Sequence, residues 1–142
     1  MPTTTAPRQV ALTRSYHFSA GHQLRNEALT ADENARLYGA CARPHGHNYY
    51  LEVTVAGVPD VQTGMVLDLG RLDALVQEAI VRRVDHHTLE TVPELTGVIS
   101  TGEGLARAFW RLLAGRVAPA VLRQVAVVET AKNRFEYRGE EA

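Results

Sequence analysis

Residues 41–57 read CARPHGHNYYLEVTVAG, and the second half of that stretch decides the fold. Tyr49, Leu51, Val53 and Val55 alternate with Tyr50, Glu52 and Thr54 before Gly57. Successive side chains of a strand point to opposite faces, so this alternation predicts a half-buried strand. An earlier stretch has the same period. Val10, Leu12, Tyr16 and Phe18 hold even positions, interrupted by Arg14, and predict a strand reaching about Ala20. Between the two, TADENARL at 30–37 places Thr30 and Glu33 as a capping box and predicts a short helix.

Downstream the period changes. Pro59-Asp60 and Gly64 mark a turn, and Asp68 can cap a helix with one apolar stripe: Leu69, Leu72, Leu75, Val76, Ala79 and Ile80. That helix is expected to end near Val84. Ser100-Thr101-Gly102-Glu103 matches a second capping box and opens a helix carrying Leu105, Ala108, Phe109, Leu112 and Leu113. VLRQVAVVET at 121–130 is a strong strand pattern and FEYRG at 135–139 a weaker one. Strands in pairs, in the order ββααββ, predict an α+β class: a four-stranded antiparallel sheet with two long helices on one face. The edges of such a sheet need cover or a partner, so self-association is expected.

With 142 residues, one domain over 9–142 is expected behind a loose polar tail at 1–8. The chain is 45% hydrophobic and 22% charged, as soluble globular proteins are. A net charge of −1 offers no general basic surface, so no nucleic-acid partner is expected. No apolar run reaches membrane-spanning length, and no membrane partner is expected either. One cysteine cannot form an internal disulfide, and the N-terminus lacks the pattern of a secretory signal. A cytoplasmic protein with a free thiol is the expectation.

The six histidines fall in three places: His17 and His22, His45 and His47, His86 and His87. His45 and His47, two apart in extended backbone, point the same way. If the first two strands pair as a hairpin, His22 can join them. Three imidazoles with an open position describe a catalytic zinc site, although a His-x-His pair also occurs in ordinary surface turns. Cys41 reads either as a small buried hydrophobe or as a thiolate favoured by a nearby cation or metal. Asp85-His86 fits either a helix C-terminus or a carboxylate-oriented proton partner. Glu129 is either solvent-facing or a carboxylate that grips paired N–H donors. Thr101 and Glu103 cap a helix, and the backbone N–H groups there could also hold a ligand atom.

FSAGH at 18–22, CARPHGH at 41–47, GMVLDL at 64–69, VDHH at 84–87, STGE at 100–103 and VVET at 127–130 together bring a family into view. From about Tyr16 to Glu140 the chain resembles the 6-pyruvoyl-tetrahydropterin synthase / 6-carboxy-tetrahydropterin synthase family. The resemblance implies the tunnelling fold (T-fold), assembled as a homohexamer, a dimer of trimers with active sites between subunits. It implies that His22, His45 and His47 hold Zn2+, and that Cys41 is the catalytic cysteine with Asp85 and His86 as its partner dyad. It further implies that Glu129 anchors a pterin ring, assisted by Thr101 and Glu103. His86 is preferred over His87 because it directly follows Asp85.

The implied substrate is 7,8-dihydroneopterin triphosphate, and two products compete. The Cys-x-x-x-His-Gly-His spacing is similar to the 6-carboxy enzymes of the queuosine/7-deazapurine pathway, which release acetaldehyde and triphosphate. NEALTADENARLYGAC at 26–41 is similar to the 6-pyruvoyl enzymes of tetrahydrobiopterin-type pathways. Because the spacing lies at the reacting centre, the 6-carboxy product is expected. The alternatives are the 6-pyruvoyl enzyme or a non-catalytic pterin-binding member. A third branch, which replaces the cysteine by glutamate, is disfavoured by Cys41. Gln23, Gly102 and Gly104 depart from residues common in the family.

Overall fold

The two alternating stretches pair antiparallel along their whole length in the computed structural model, which describes residues 8–140. Most of the expected tail, residues 1–7, lies outside the described residues. β1 (Val10–His22) and β2 (His45–Gly57) run in register from Val10 opposite Gly57 to His22 opposite His45. β4 (Val121–Thr130) adds to the other edge of β2, and β5 (Asn133–Tyr137) closes that side.

The sheet has five strands rather than the four expected, and it is not purely antiparallel. β3 (His87–Thr88) lies parallel to β1, with His87 opposite Ala20 and Thr88 opposite Gly21, giving the order β3-β1-β2-β4-β5. His86 adopts a left-handed φ of 60° that redirects the chain, and its N–H donates to the Ser19 carbonyl at 2.6 Å. Two residues are too few for an alternation to register, so the sequence could not announce this strand. β1 also extends two residues beyond Ala20, which makes His22 its last residue rather than one past its end.

α1 (Ala31–Tyr38) occupies the β1–β2 connection, and both arms of the Thr30–Glu33 capping box are formed. α2 (Leu69–Val76) starts at Asp68, whose carboxylate accepts from the Arg71 N–H at 2.9 Å. It continues through one π turn, Gln77–Val81, into the short α3 (Arg82–Val84). α4 (Gly102–Leu113) is the second long helix. Leu72, Val76, Ile80, Leu105, Phe109 and Leu113 bury the helical stripes against Phe18, Tyr49, Leu51, Val53, Val125 and Val127 of the sheet. Both helices therefore cover one face, as the pattern predicts. Phe18 stacks on Tyr49 at 4.8 Å and meets the edge of Phe109 at 5.9 Å. Arg14, the break in the β1 pattern, is paired with Asp73 of α2 at 3.0 and 2.9 Å, and the Tyr16 hydroxyl donates to the same carboxylate.

Two glycines let α4 start close to its neighbours. A Cβ at Gly102 would fall 1.9 Å from the Phe135 ring, and one at Gly104 would fall 2.1 Å from the Ile99 carbonyl oxygen. Alanine normally favours a helix over glycine by about 1 kcal/mol. Here the backbone clash outweighs that preference, because overpacking costs about 1–3 kcal/mol. Gly104→Ala is therefore expected to lower the urea midpoint at an unchanged m-value; a raised midpoint would contradict the close approach.

Candidate functional site

The β1–β2 register places His22 opposite His45 and Ala20 opposite His47. His22 shares the inner face with Phe18, and His45 and His47 share it with Tyr49. Three imidazoles thus converge where the hairpin leaves the core. Ring centroids are 4.4 Å apart for His22 and His45, and 5.0 Å for each of the other two pairs. One nitrogen from each ring can be chosen so that all three lie within 4.8 Å of one another.

Hydrogen bonds decide which nitrogens are free. The His22 Nδ1 lies 2.9 Å from the Ser100 carbonyl, and the His45 Nδ1 lies 2.7 Å from the Arg43 carbonyl. A carbonyl can only accept, so both Nδ1 atoms carry protons, and in the neutral ring the lone pair is then on Nε2. The His22 Nε2 is buried and has no hydrogen-bond partner among the described residues. Burial, followed by the neighbouring His45 and His47, lowers the His22 pKa below its usual 6.5, against the opposing Ser100 carbonyl. Neutral imidazoles with free Nε2 atoms are the donor set a divalent transition metal takes, and the orphaned His22 nitrogen fits such an ion.

Glu129 turns inward from β4. Its side chain is 16% exposed, and Oε1 lies 3.8 Å from the His47 Nε2, so the solvent-facing reading does not hold. Tyr49, which the sequence presents only as a core residue, lies beneath the histidines with ring centroids 5.5 Å from His47 and 6.0 Å from His22. Its buried hydroxyl has no partner among the described residues, and burial, then Glu129 and Glu90, raise its pKa and keep it protonated.

The capping box led by Ser100 is not formed, whereas the expected capping role of Thr101 is. Thr101 is the N-cap and accepts from the Gly104 N–H at 3.1 Å, while Glu103 is exposed in the first turn. Ser100 is freed from capping. Its hydroxyl donates to Glu90 Oε2 at 2.5 Å, and Glu90 Oε1 accepts from the Gln23 N–H at 2.7 Å. The sequence offered Ser100 only as a capping residue and did not single out Glu90, ten residues earlier in the chain.

Cys41 lies in a 3-10 turn, Gly39–Ala42, and is exposed; its carbonyl accepts from the Leu24 N–H at 2.9 Å. Asp85 and His86 are tied to β1 further back. The Asp85 Oδ1 accepts from the Ser19 N–H at 2.9 Å and lies 3.0 Å from the His86 Nδ1. The Ser19 amide, then the His86 imidazole, hold the Asp85 carboxyl below its usual range against burial. The His86 side chain is 82% exposed and borders an open cleft of about 470 Å³ with Ser19, Asn48, His87 and Thr88. The His87 Nδ1 donates to the Asp85 carbonyl at 2.8 Å, a local bond that leaves Asp85 Oδ1 to His86.

Comparison with known proteins adds a second line of observation. Residues 11–140 match the family model for 6-pyruvoyl tetrahydropterin synthase. The chain is 41% identical to human 6-pyruvoyl tetrahydrobiopterin synthase over 135 residues, covering 93% of each chain. It is 28% identical to the 6-carboxy-5,6,7,8-tetrahydropterin synthase of Aquifex aeolicus, over 91% of this chain and 98% of that one. The structure of Caenorhabditis elegans 6-pyruvoyl tetrahydropterin synthase superposes with a TM-score of 0.88 at 34% identity, covering 96% of this chain and all of that one.

His22 gives the site a pH signature. Its folded pKa lies below 6.5, so above pH 6.5 the folded and unfolded chains both hold it neutral. As pH falls through that value the unfolded chain takes the proton first, and stability is lost until the folded value is passed. The metal-free protein should lose stability in the interval just below pH 6.5 in urea titrations, and His22→Asn should flatten that slope. An unchanged slope in the variant would contradict the assignment.

Proposed function

The chain belongs to the 6-pyruvoyl tetrahydropterin synthase family, and on that premise we propose that it is a lyase converting 7,8-dihydroneopterin triphosphate to 6-pyruvoyl-tetrahydropterin with loss of triphosphate. One observation carries the choice of product. Identity to the human 6-pyruvoyl enzyme is 41% across nearly the whole chain, against 28% to the Aquifex 6-carboxy enzyme. The 6-carboxy product expected from the Cys41–His45 spacing gives way, because that spacing is one local feature set against the whole length. It remains the second reading on that feature alone.

His22, His45 and His47 would hold zinc through their Nε2 atoms, and the ion would serve there as a Lewis acid toward oxygens of the substrate side chain. Glu129 accepts the paired N–H donors of the pterin ring; its inward, mostly buried carboxylate supports that role. The backbone at Thr101 and Glu103 assists at the ring. Cys41, as a thiolate, takes a proton from the side-chain carbon next to the ring. His86, oriented by Asp85 at 3.0 Å, handles the complementary proton.

Cys41 is anchored at Leu24 and His86 at Ser19, five residues apart along the chain. Cys41 and His86 are both exposed, which supports a site completed between copies: Cys41 of one chain with the Asp85–His86 pair of another. A homohexamer built as a dimer of trimers would supply such junctions.

The test is to incubate the protein with 7,8-dihydroneopterin triphosphate and weigh the products. A 6-pyruvoyl mass without acetaldehyde is expected. A 6-carboxy mass with acetaldehyde would transfer the assignment to the sister enzyme, and no turnover by metal-loaded protein would leave only a pterin-binding role. Cys41→Ala is expected to retain metal and fold while losing at least ~100-fold in kcat. Equal turnover in that variant would remove the thiol from the chemistry.

A further inference from the structure

We propose that Glu90 is a positioning residue for the metal centre, fixing through Ser100 which nitrogen of His22 faces the other two histidines. This rests on the reading of His22, His45 and His47 as metal ligands. Glu90 lies in a 3-10 turn, Leu89–Thr91, that Leu89 roots in the core at 1% exposure. From there its carboxylate clamps both segments that flank His22. One oxygen takes the Gln23 N–H at 2.7 Å, on the residue following the ligand. The other takes the Ser100 hydroxyl at 2.5 Å.

The second contact reinforces the tautomer that the Ser100 carbonyl favours. A serine hydroxyl has one proton, and Glu90 claims it, because a carboxylate can only accept. The Ser100 Oγ, 3.3 Å from the His22 Nδ1, is then an acceptor, as is the Ser100 carbonyl at 2.9 Å. Both oxygens facing Nδ1 demand a proton, so Nδ1 carries it and the lone pair is assigned to Nε2. Released from Glu90, the hydroxyl could rotate and donate to Nδ1, which would allow the tautomer that cannot ligate through Nε2. Ser100 and His22 are each 2% exposed, so solvent does not substitute for the contact between them, whereas Glu90 itself lies at the surface. Partners that orient ligating histidines in this way are typically worth 10–100-fold in metal affinity.

The test measures zinc affinity of the full-length chain by competition with a chromophoric chelator. Glu90→Ala is expected to bind zinc about tenfold or more weakly. Ser100→Ala keeps the carbonyl but removes the hydroxyl, and should lose a similar factor; it carries the test alone if Glu90→Ala does not fold. The double variant should be no weaker than the weaker single, because the two residues act as one relay. Thr91→Val is the structural control. It removes the Thr91 hydroxyl bond to the Thr88 carbonyl at 2.7 Å in the same turn, and should lower the thermal midpoint of the metal-free protein while leaving affinity unchanged. Wild-type affinity in Glu90→Ala, additive losses in the double variant, or an equal loss in Thr91→Val would each overturn the proposal. A wild-type chain that takes up no zinc would overturn the metal reading itself, an outcome separate from these.

Discussion

The pairing of His22 with His45 across the open end of the β1–β2 hairpin is the constraint on which the site depends. Side chains in a strand alternate faces, so a slip of one residue would turn His22 away from His45 and His47. The same slip would expose Phe18 and break its stack on Tyr49. Core packing and the convergence of the three histidines are therefore one requirement. The inner-face residues that keep the register, from Val53 and Leu51 to Tyr49, also bring the histidines together at the point where burial ends.

Around that hairpin, short hydrogen bonds hold His22, His45 and Asp85. The Ser100 carbonyl at the entry to α4 holds His22, and the Arg43 carbonyl holds His45. The Ser19 amide holds Asp85, whose carboxylate orients His86. Glu129 reaches inward from β4 toward His47. The local electrostatics agree with a metal centre. Burial suppresses protonation of His22, and ring nitrogens of the three imidazoles converge within 4.8 Å of one another. Cys41 and His86 are the exposed members of the set.

Much of this was legible in the residue pattern, and the misses have identifiable causes. Alternation at Tyr49–Val55 located β2, and the parity of His45 and His47 followed from it. The α2 and α4 stripes located both long helices and the face they cover. β3 was illegible because two residues carry no period; its existence depends on the left-handed backbone at His86 and the bond to Ser19. Glu129 was ambiguous because its strand position alone does not say which face the sheet buries. Glu90 was invisible because its role comes from a ten-residue separation from Ser100 that only the folded loop closes. The capping string at 100–103 pointed to the right turn, with Thr101 rather than Ser100 as the N-cap. At the product level, a short spacing was weighed above the rest of the chain, and the full-length similarity reverses that weighting.

The central claim is that the hairpin end is a metal centre built by three Nε2 atoms. Anomalous diffraction from crystals of the purified protein, collected on both sides of the zinc absorption edge, tests it most directly. The account predicts one peak above the edge, absent below it, within bonding distance of the Nε2 atoms of His22, His45 and His47. A zinc peak elsewhere, coordination through Nδ1 of His22, or no peak in zinc-supplemented crystals would contradict it.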